Sequence, residues 1–527
     1  AQPWRGAGVS GDLLIGLDAG TSVVKAVVFD LGGAAVASAQ RRNEYAALPN
    51  GGAEQDMEAT WSRAAAVLAE LTDKVPNLRS RASALAVTGQ GDGTWLIDED
   101  GAPVHDGWLW LDARAGEAAR EIDGSAGAAT LYRATGTGVN TSQMRAQLRW
   151  MKRNAPDLIA KAATALHCKD WLYFRLTGDR ATDPTEGVFT FGDFRTRAYS
   201  EEALKALDLE DCARLLPPIV DGAVKAGALT ETAASATGLR AGLPVSLGYV
   251  DVMCNAIGGG LYDPAAKPGL TILGSTGMHM RFAENADAVV LNQDRSGYTM
   301  AFPGDAYAQM QTNMTATINI DWMLDLAVEM LAAEGVARTP ADLLKGMDER
   351  VVAARPGAAV YHPYVSTAGE RGPFAEPRAR ASFTGLDRRT GWFDMIRAVY
   401  DGLALAARDC YAAMGPIPSE IRLSGGAARS AAMRRILASA LDRPIRTVAL
   451  EESGAAGAVM IAAVAQGVFP DIAAAARAWV DPLLGEAEPP DAALVPVYDA
   501  LFDGYLATRR AAEPIWAAQA AMREAVA

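Results

Sequence analysis

Leu13-Leu14-Ile15-Gly16-Leu17 is a short apolar run closed by Asp18-Ala19-Gly20-Thr21-Ser22, and a second run, Ala26 to Phe29, ends at Asp30 before the turn Leu31-Gly32-Gly33. Two apolar runs joined by a small polar tip predict a β-hairpin. A third strand is expected from Ala34 to Gln40. A helix is expected from Met57 to Leu71, where Trp61, Ala65, Leu68 and Leu71 recur at helical spacing, and a further strand from Ala84 to Val87. From Ala113 to Arg240 helical segments alternate with polar loops; Asp170 to Leu176 reads as an amphipathic helix capped by Gly178.

The pattern then starts over. Leu243 to Gly260 predicts strand, acidic turn and helix. Gly269 to Leu273, Gly274-Ser275-Thr276-Gly277 and Met278 to Phe282 repeat the form of the first hairpin. A helix from Asn319 to Ala333, a Pro-bearing loop from Arg355 to Pro377 and a long helix from Trp392 to Ala413 follow. Next come the strand Ile421 to Leu423, the turn Ser424-Gly425-Gly426-Ala427, helices at Ser430 to Leu441 and Ala455 to Ala465, and a helical tail after Pro490. This repetition predicts two α/β lobes around a cleft, residues 12–264 and 265–527, with the boundary near Tyr262 to Gly269.

Composition narrows the chemistry. The 527 residues are half hydrophobic and 21% charged, an ordinary globular balance. Lys+Arg 49 against Asp+Glu 63 leaves a net charge of −14, which argues against a broad grip on nucleic acid or anionic lipid and favours a small ligand. Cys168, Cys212, Cys254 and Cys410 stand far apart beside only four histidines, so a zinc site has little material and reduced cytoplasmic thiols are expected. The segment from Ala1 to Gly11 lacks the basic and apolar regions of a secretory signal and reads as a loose leader, native or introduced. Gly454 to Val468 is the most apolar stretch; it falls short of the ~20 residues that span a bilayer and reads as a buried helix.

Six segments carry candidate chemistry. Asp18-Ala19-Gly20-Thr21-Ser22 offers a carboxylate for hydrated Mg²⁺, a glycine where phosphate can approach backbone, and two hydroxyls; the plain alternative is a hairpin turn. Gly274 to Gly277 has the same character, and the two turns facing each other would clasp a triphosphate. Gly425-Gly426 lets adenine or ribose lie on bare backbone, or simply makes a tight connection. Gly248 to Met253 sets Asp251 at the end of an apolar strand and the start of a helix, as a working carboxylate or as an N-cap. Between strand-like runs lie Gly89-Gln90-Gly91-Asp92-Gly93-Thr94 and Trp108-Leu109-Trp110-Leu111-Asp112-Ala113-Arg114. They combine hydroxyl-binding groups with indole faces, or else form a Gly-rich hairpin and a core tryptophan pair.

Taken with Lys169 to Asp183, His362 to Leu386 and Glu452 to Ala463, these segments resemble the FGGY family of carbohydrate kinases, within the actin-like ATPases. The resemblance implies two actin-like (ribonuclease-H-like) α/β lobes around a nucleotide cleft, ATP with Mg²⁺, and transfer of the γ-phosphoryl group to a sugar or polyol hydroxyl. It implies Asp251 as catalytic base and metal neighbour, and Asp18 as metal-orienting carboxylate. Gly20, Thr21, Ser22 and Lys25 would lie along the first phosphate loop, Gly274, Thr276 and Gly277 along the second, and Gly425, Gly426 and Ser430 beside adenosine. Gln90, Asp92, Trp110, Asn140 and His279, with Asp251, fall where the family lines its acceptor pocket. Gly91-Asp92 stands where xylulose kinases carry Met-His and glycerol kinases Arg-Glu. The stretch Thr88 to Arg114 is most similar to the erythritol-phosphorylating members, so a short uncharged polyol is expected. Tyr249-Val250 is expected to narrow the pocket, and Ala427, in place of a third glycine, to tighten the nucleotide shelf. Other expectations are a kinase of another polyol or ketose (glycerol, xylitol, xylulose, ribulose), an actin-like ATPase with a conformational output, or a sugar-binding regulator that has lost transfer. Cytoplasmic location and a homodimer go with the family.

Overall fold

The computed structural model describes residues 11–449 and 452–526, so the expected leader lies outside the described residues except for Gly11. The first lobe is a six-stranded sheet. Its strands are β1 (Leu13–Ala19), β2 (Val23–Asp30), β3 (Ala35–Arg42), β4 (Ala82–Gly89), β5 (Ala226–Ala228) and β6 (Pro244–Leu247), in the order β5-β6-β4-β1-β2-β3. β1, β2 and β3 form an antiparallel meander, while β4 and then β6 add in parallel. Helix α1 (Met57–Lys74), started by the Asp56 side chain accepting from the Ala59 N–H, lays Trp61, Ala64, Leu68 and Leu71 on one face of the sheet. Helices α2 (Cys168–Thr177), α3 (Pro184–Phe191) and α4 (Asp251–Gly258) complete the parts of this lobe that matter below.

The second lobe repeats the plan. Strands β7 (Gly269–Leu273), β8 (Gly277–Ala283), β9 (Tyr298–Ala301), β10 (Tyr307–Asn313), β11 (Ile421–Ser424) and β12 (Ile445–Thr447) run in the order β9-β10-β8-β7-β11-β12. Again three antiparallel strands (β7, β8, β10) are followed by two parallel ones (β11, β12). The restart expected from the sequence is therefore a true repeat of topology. Its longer helices are α5 (Ile318–Ala333), α6 (Trp392–Ala413), α7 (Ala431–Leu441), α8 (Ser453–Ala465) and α9 (Val495–Val526).

Helix α8 joins the lobes. It is apolar on all sides and buried from Gly454 to Ala463, as its composition predicts. Leu14, Val27, Phe29, Ala84 and Ala86 of the first sheet share one core with Val459, Met460 and Ile461 of α8 and with Met253 and Ile257 of α4. Glycines allow this closeness: a Cβ on Gly457 would come within 1.9 Å of the Cys254 carbonyl oxygen, and one on Gly16 within 2.8 Å of the Ala455 oxygen. Among the described residues no helix is long and apolar enough to cross a membrane.

Two expectations need correction. Helix α2 is not amphipathic: Cys168, Lys169, Asp170, Trp171, Leu172, Tyr173 and Leu176 are all buried, because it is wedged between the first sheet and α1 with its charges paired internally. The stretch 355–377 is not all loop, since Val360–His362 pairs with Ser382–Thr384.

Candidate active site

The β1–β2 and β7–β8 tips and the ends of the parallel strands β4 and β6 meet at one cavity, lined by Thr21, Thr276, Gln90 and Val250. Asp18 lies opposite Lys25 across the first hairpin and opposite Thr88 on β4. A Cβ on Gly454 would meet the Asp18 carboxylate at 2.8 Å, so the start of α8 closes directly over it. Lys25 is bound to Glu452, just ahead of α8, in an ion pair that links the first hairpin to the second lobe. On the other side, Ser275 and Thr276 are exposed at the β7–β8 tip, where the Gly274 carbonyl accepts from the Thr317 hydroxyl at 2.8 Å. Gly425, at φ +90°, packs against the same tip: a Cβ there would lie 2.5 Å from the Leu273 oxygen. Three exposed backbone turns thus edge one cleft, a form suited to a nucleoside triphosphate.

Below the turns lies a cavity of about 470 Å³, within the usual size of a small-molecule site. The first lobe lines it with Thr21, Gln90, Asp92, Trp110, Glu186 and Asp251, the second with Thr276, Tyr298, Arg371 and methionines 278, 300, 310 and 314. Asp251 opens α4 but does not cap it; its Oδ1 accepts from the adjacent Val252 N–H at 2.6 Å. Burial and the neighbouring Asp18 charge push its carboxyl up to about 7, and burial and Glu452 push Asp18 up to about 6. Asp92 takes up left-handed backbone, φ +53°, and its Oδ2 accepts from Ser142 Oγ at 2.9 Å and Tyr298 OH at 3.2 Å. Its buried Oδ1 has no partner. Gly91 is needed beside it, since a Cβ would sit 2.4 Å from Val250 and 2.7 Å from Glu186 Oε1.

Mg²⁺ fits this donor set. Burial and the Asp18 charge raise the proton affinity of Asp251, so a cation would be welcome beside the two carboxyls, and among the described residues no cluster of three or more ligand-type side chains stands together. The remaining ligands would be water and phosphate oxygen, which suits Mg²⁺ better than a caged metal.

Residues 13–258 match the N-terminal domain and residues 269–466 the C-terminal domain of one family. The chain belongs to the FGGY family of carbohydrate kinases. An erythritol kinase of Brucella abortus is 48% identical over 507 residues, 96% of this chain and 97% of that protein. A xylulose kinase of Staphylococcus xylosus is 26% identical over 89% and 94% of the two chains. The solved structure of a xylulose kinase from Rhodospirillum rubrum, 27% identical, superposes with a TM-score of 0.85 over 96% of this chain and 99% of its own. The two-lobed fold expected from the resemblance is thus the fold of this FGGY chain.

Within that FGGY frame the expected residues divide. Gln90, Asp92, Trp110 and Asp251 line the cavity, and so do Thr21 and Thr276, which were expected at phosphate. The Thr21 hydroxyl donates to Gln90 Oε1 at 2.8 Å and accepts from Trp110 Nε1 at 2.9 Å, which ties it to the Gln90 and Trp110 side of the cavity. Gly20, Ser22, Gly277, Gly425 and Gly426 lie at the turns. Ser430 caps α7 through the Met433 N–H and donates to Asp348 at 2.6 Å, so its side chain is already engaged. Ala427 is buried in the 3₁₀ turn.

His279 does not form the pocket wall. Side chains alternate along β8, and Met278 faces the cavity, so His279 turns to the other side. There it bonds Thr271 and Asn313, and burial pushes it down to about 4. Tyr249 likewise points into the core, leaving Val250 alone to narrow the cavity. Asn140 stands one layer back, bonded to Tyr298 and Ser142. Of the tryptophan pair, Trp108 is core, under the Arg114 guanidinium, and Trp110 is 38% exposed at the site. Glu186, Tyr298, Arg371 and the four methionines carry no local signal, although Asp183 and Arg371 fall within segments that bear the family resemblance.

Proposed function

We propose that this FGGY kinase phosphorylates erythritol from ATP, with Asp251 as general base. The observation that carries this reading is the unpaired Asp92 Oδ1 in the same cavity as Asp251. One carboxylate is free to take a substrate hydroxyl, and another stands ready beside the reacting one. The 48% identity to an erythritol kinase supports the choice of polyol. Asp92, Gln90 and Trp110 would hold the polyol; Thr276 and the Gly274 and Gly425–Gly426 turns would hold ATP; Asp18 and Asp251 would hold Mg²⁺. When bound, that ion would offset charge on the phosphate oxygens.

The acceptor hydroxyl gives its proton to the Asp251 carboxylate as its oxygen bonds to the γ-phosphorus, and the bond to the β–γ bridging oxygen breaks to release ADP. An aspartate at its reference value of ~3.9 is a weak base for an alcohol; one raised to about 7 is better matched to neutral pH. Val250, Trp110 and the methionine wall would exclude water from the γ-phosphorus once the lobes close. Four buried free cysteines suit the cytoplasm, and the homodimer that goes with the family would appear on sedimentation of the purified chain.

The test is Mg²⁺-ATP turnover with erythritol, threitol, glycerol, xylitol and D-xylulose, each product identified by mass spectrometry. Erythritol should give the highest kcat/KM. Preference for another polyol or a ketose would overturn the substrate, and polyol-independent ATP turnover would overturn the transfer itself.

A further inference from the structure

Behind Asp92 runs a buried line of charges that the transfer chemistry does not use. The Asp92 N–H donates to Glu186 Oε1 at 3.1 Å, and Glu186 Oε2 lies 3.3 Å from His167 Nε2. His167 Nδ1 lies 3.1 Å from Asp170 Oδ2. Lys169 Nζ then bridges Asp170 at 2.5 Å and Asp183 at 2.7 Å. Every member is buried. Such arrays are poor devices for stability, because desolvation offsets most of their attraction and apolar replacements often do as well. This one ends on the backbone of a residue in left-handed conformation, which is uncommon outside glycine, although aspartate adopts it more readily than most, and which the hydrogen bond to Glu186 favours here.

We propose that Glu186 is a positioning residue for the polyol: braced by His167 and Asp170, it holds the Asp92 backbone left-handed so that the free Asp92 oxygen meets a substrate hydroxyl. The inference rests on the reading that Asp92 binds the polyol. Glu186 is fixed on both sides, since it opens α3 beside Asp183, whose side chain caps that helix, and faces His167, the N-cap of α2. Two helices of the first lobe thereby converge on one carboxyl. The charged or titratable groups facing it are His167, Asp92, Lys169 and Asp183, and Asp92 in turn faces Arg145 and Tyr298. Burial pushes the Glu186 carboxyl up, and the Glu186 and Asp170 carboxylates, against the effect of burial, push His167 up, so this pair takes up protons more readily than its free groups would. Rising pH deprotonates the pair and leaves an extra negative charge beside Asp92.

The test is steady-state kinetics of Glu186→Ala and Glu186→Gln across pH 6 to 9.5, with erythritol and ATP varied separately and melting temperature as a control. Wild-type turnover of erythritol is measured first; if it is absent, the substrate reading falls before this one is reached. With turnover present, Glu186→Ala should raise the erythritol KM about tenfold or more while the ATP KM stays within twofold. Glu186→Gln, which still accepts from the Asp92 N–H, should restore most of that loss at pH 7 and abolish the alkaline rise of the erythritol KM. An erythritol KM within twofold of wild type in Glu186→Ala overturns the proposal. If that variant does not fold, Glu186→Gln decides: a flattened pH profile supports the proposal, and a wild-type profile overturns it.

Discussion

The two walls of the cavity come from equivalent sheets and could hardly differ more. The first lobe contributes three carboxyls, an amide, an indole and two hydroxyls beside Phe189 and three aliphatic side chains; the second contributes four thioethers with Thr276, Thr312, Tyr298 and Arg371. A polyol has two kinds of surface, hydroxyls that need directed partners and a C–H backbone that needs only contact. The difference teaches that, on the proposed reading, the site would meet them with different lobes, direction mainly on one side and fit mainly on the other. Methionine suits the second task because its flexible chain fills irregular space.

The sharpest way to break the comparison is at Asp251. Asp251→Asn should lower kcat by about 10²- to 10⁴-fold, with erythritol affinity by calorimetry held within about threefold. Affinity lost in step with kcat would make Asp251 a binding group like the rest of its wall. Next is Asp92→Ala, expected to raise the erythritol KM by about 10- to 100-fold with the ATP KM unchanged. On the opposite wall, Met310→Ala should leave direction intact and change fit. The xylitol-to-erythritol ratio of kcat/KM should rise by about tenfold, and melting should come several degrees earlier because Met310 is buried. Met278→Leu, nearly equal in volume, should alter every constant by less than about twofold; a large loss would mean that sulfur itself is required.

The acidic wall also carries a pH signature. The folded Asp251 carboxyl titrates at about 7, above its unfolded value of about 4, so the native state binds the proton more tightly. That contribution to stability is full below about pH 4 and is lost as pH rises through 7. The ligand-free chain should therefore melt progressively earlier across this window by differential scanning fluorimetry, and Asp251→Asn should flatten that part of the curve.

The same contrast explains what could be read from sequence. The β1–β2 and β7–β8 tips, the repeat of topology and part of the polar wall were legible because strand, turn and functional group are contiguous: Asp18 stands near the end of its strand, and Asp92 follows its glycine. The methionine wall was not, because it is made across strands. Met278 pairs with Thr312 and Tyr298 with Met310, so the surface exists only once β8, β9 and β10 are in register. Each methionine alone reads as core. His279 was misplaced for a related reason, a shift of one residue along a strand, which changes the face. Glu186 escaped notice because its partner His167, itself bonded to Asp170, belongs to another helix.

Helix α8 bears on how the chain may be divided. By sequence it belongs to the second half, yet it covers strands of the first, with glycines at its closest approaches. A fragment ending near residue 264 would present a bare apolar sheet to water, and one beginning there would carry a greasy rod with no socket. The inter-lobe boundary is a place in the sequence and not a seam in the molecule, so each half inherits part of its interior from the other.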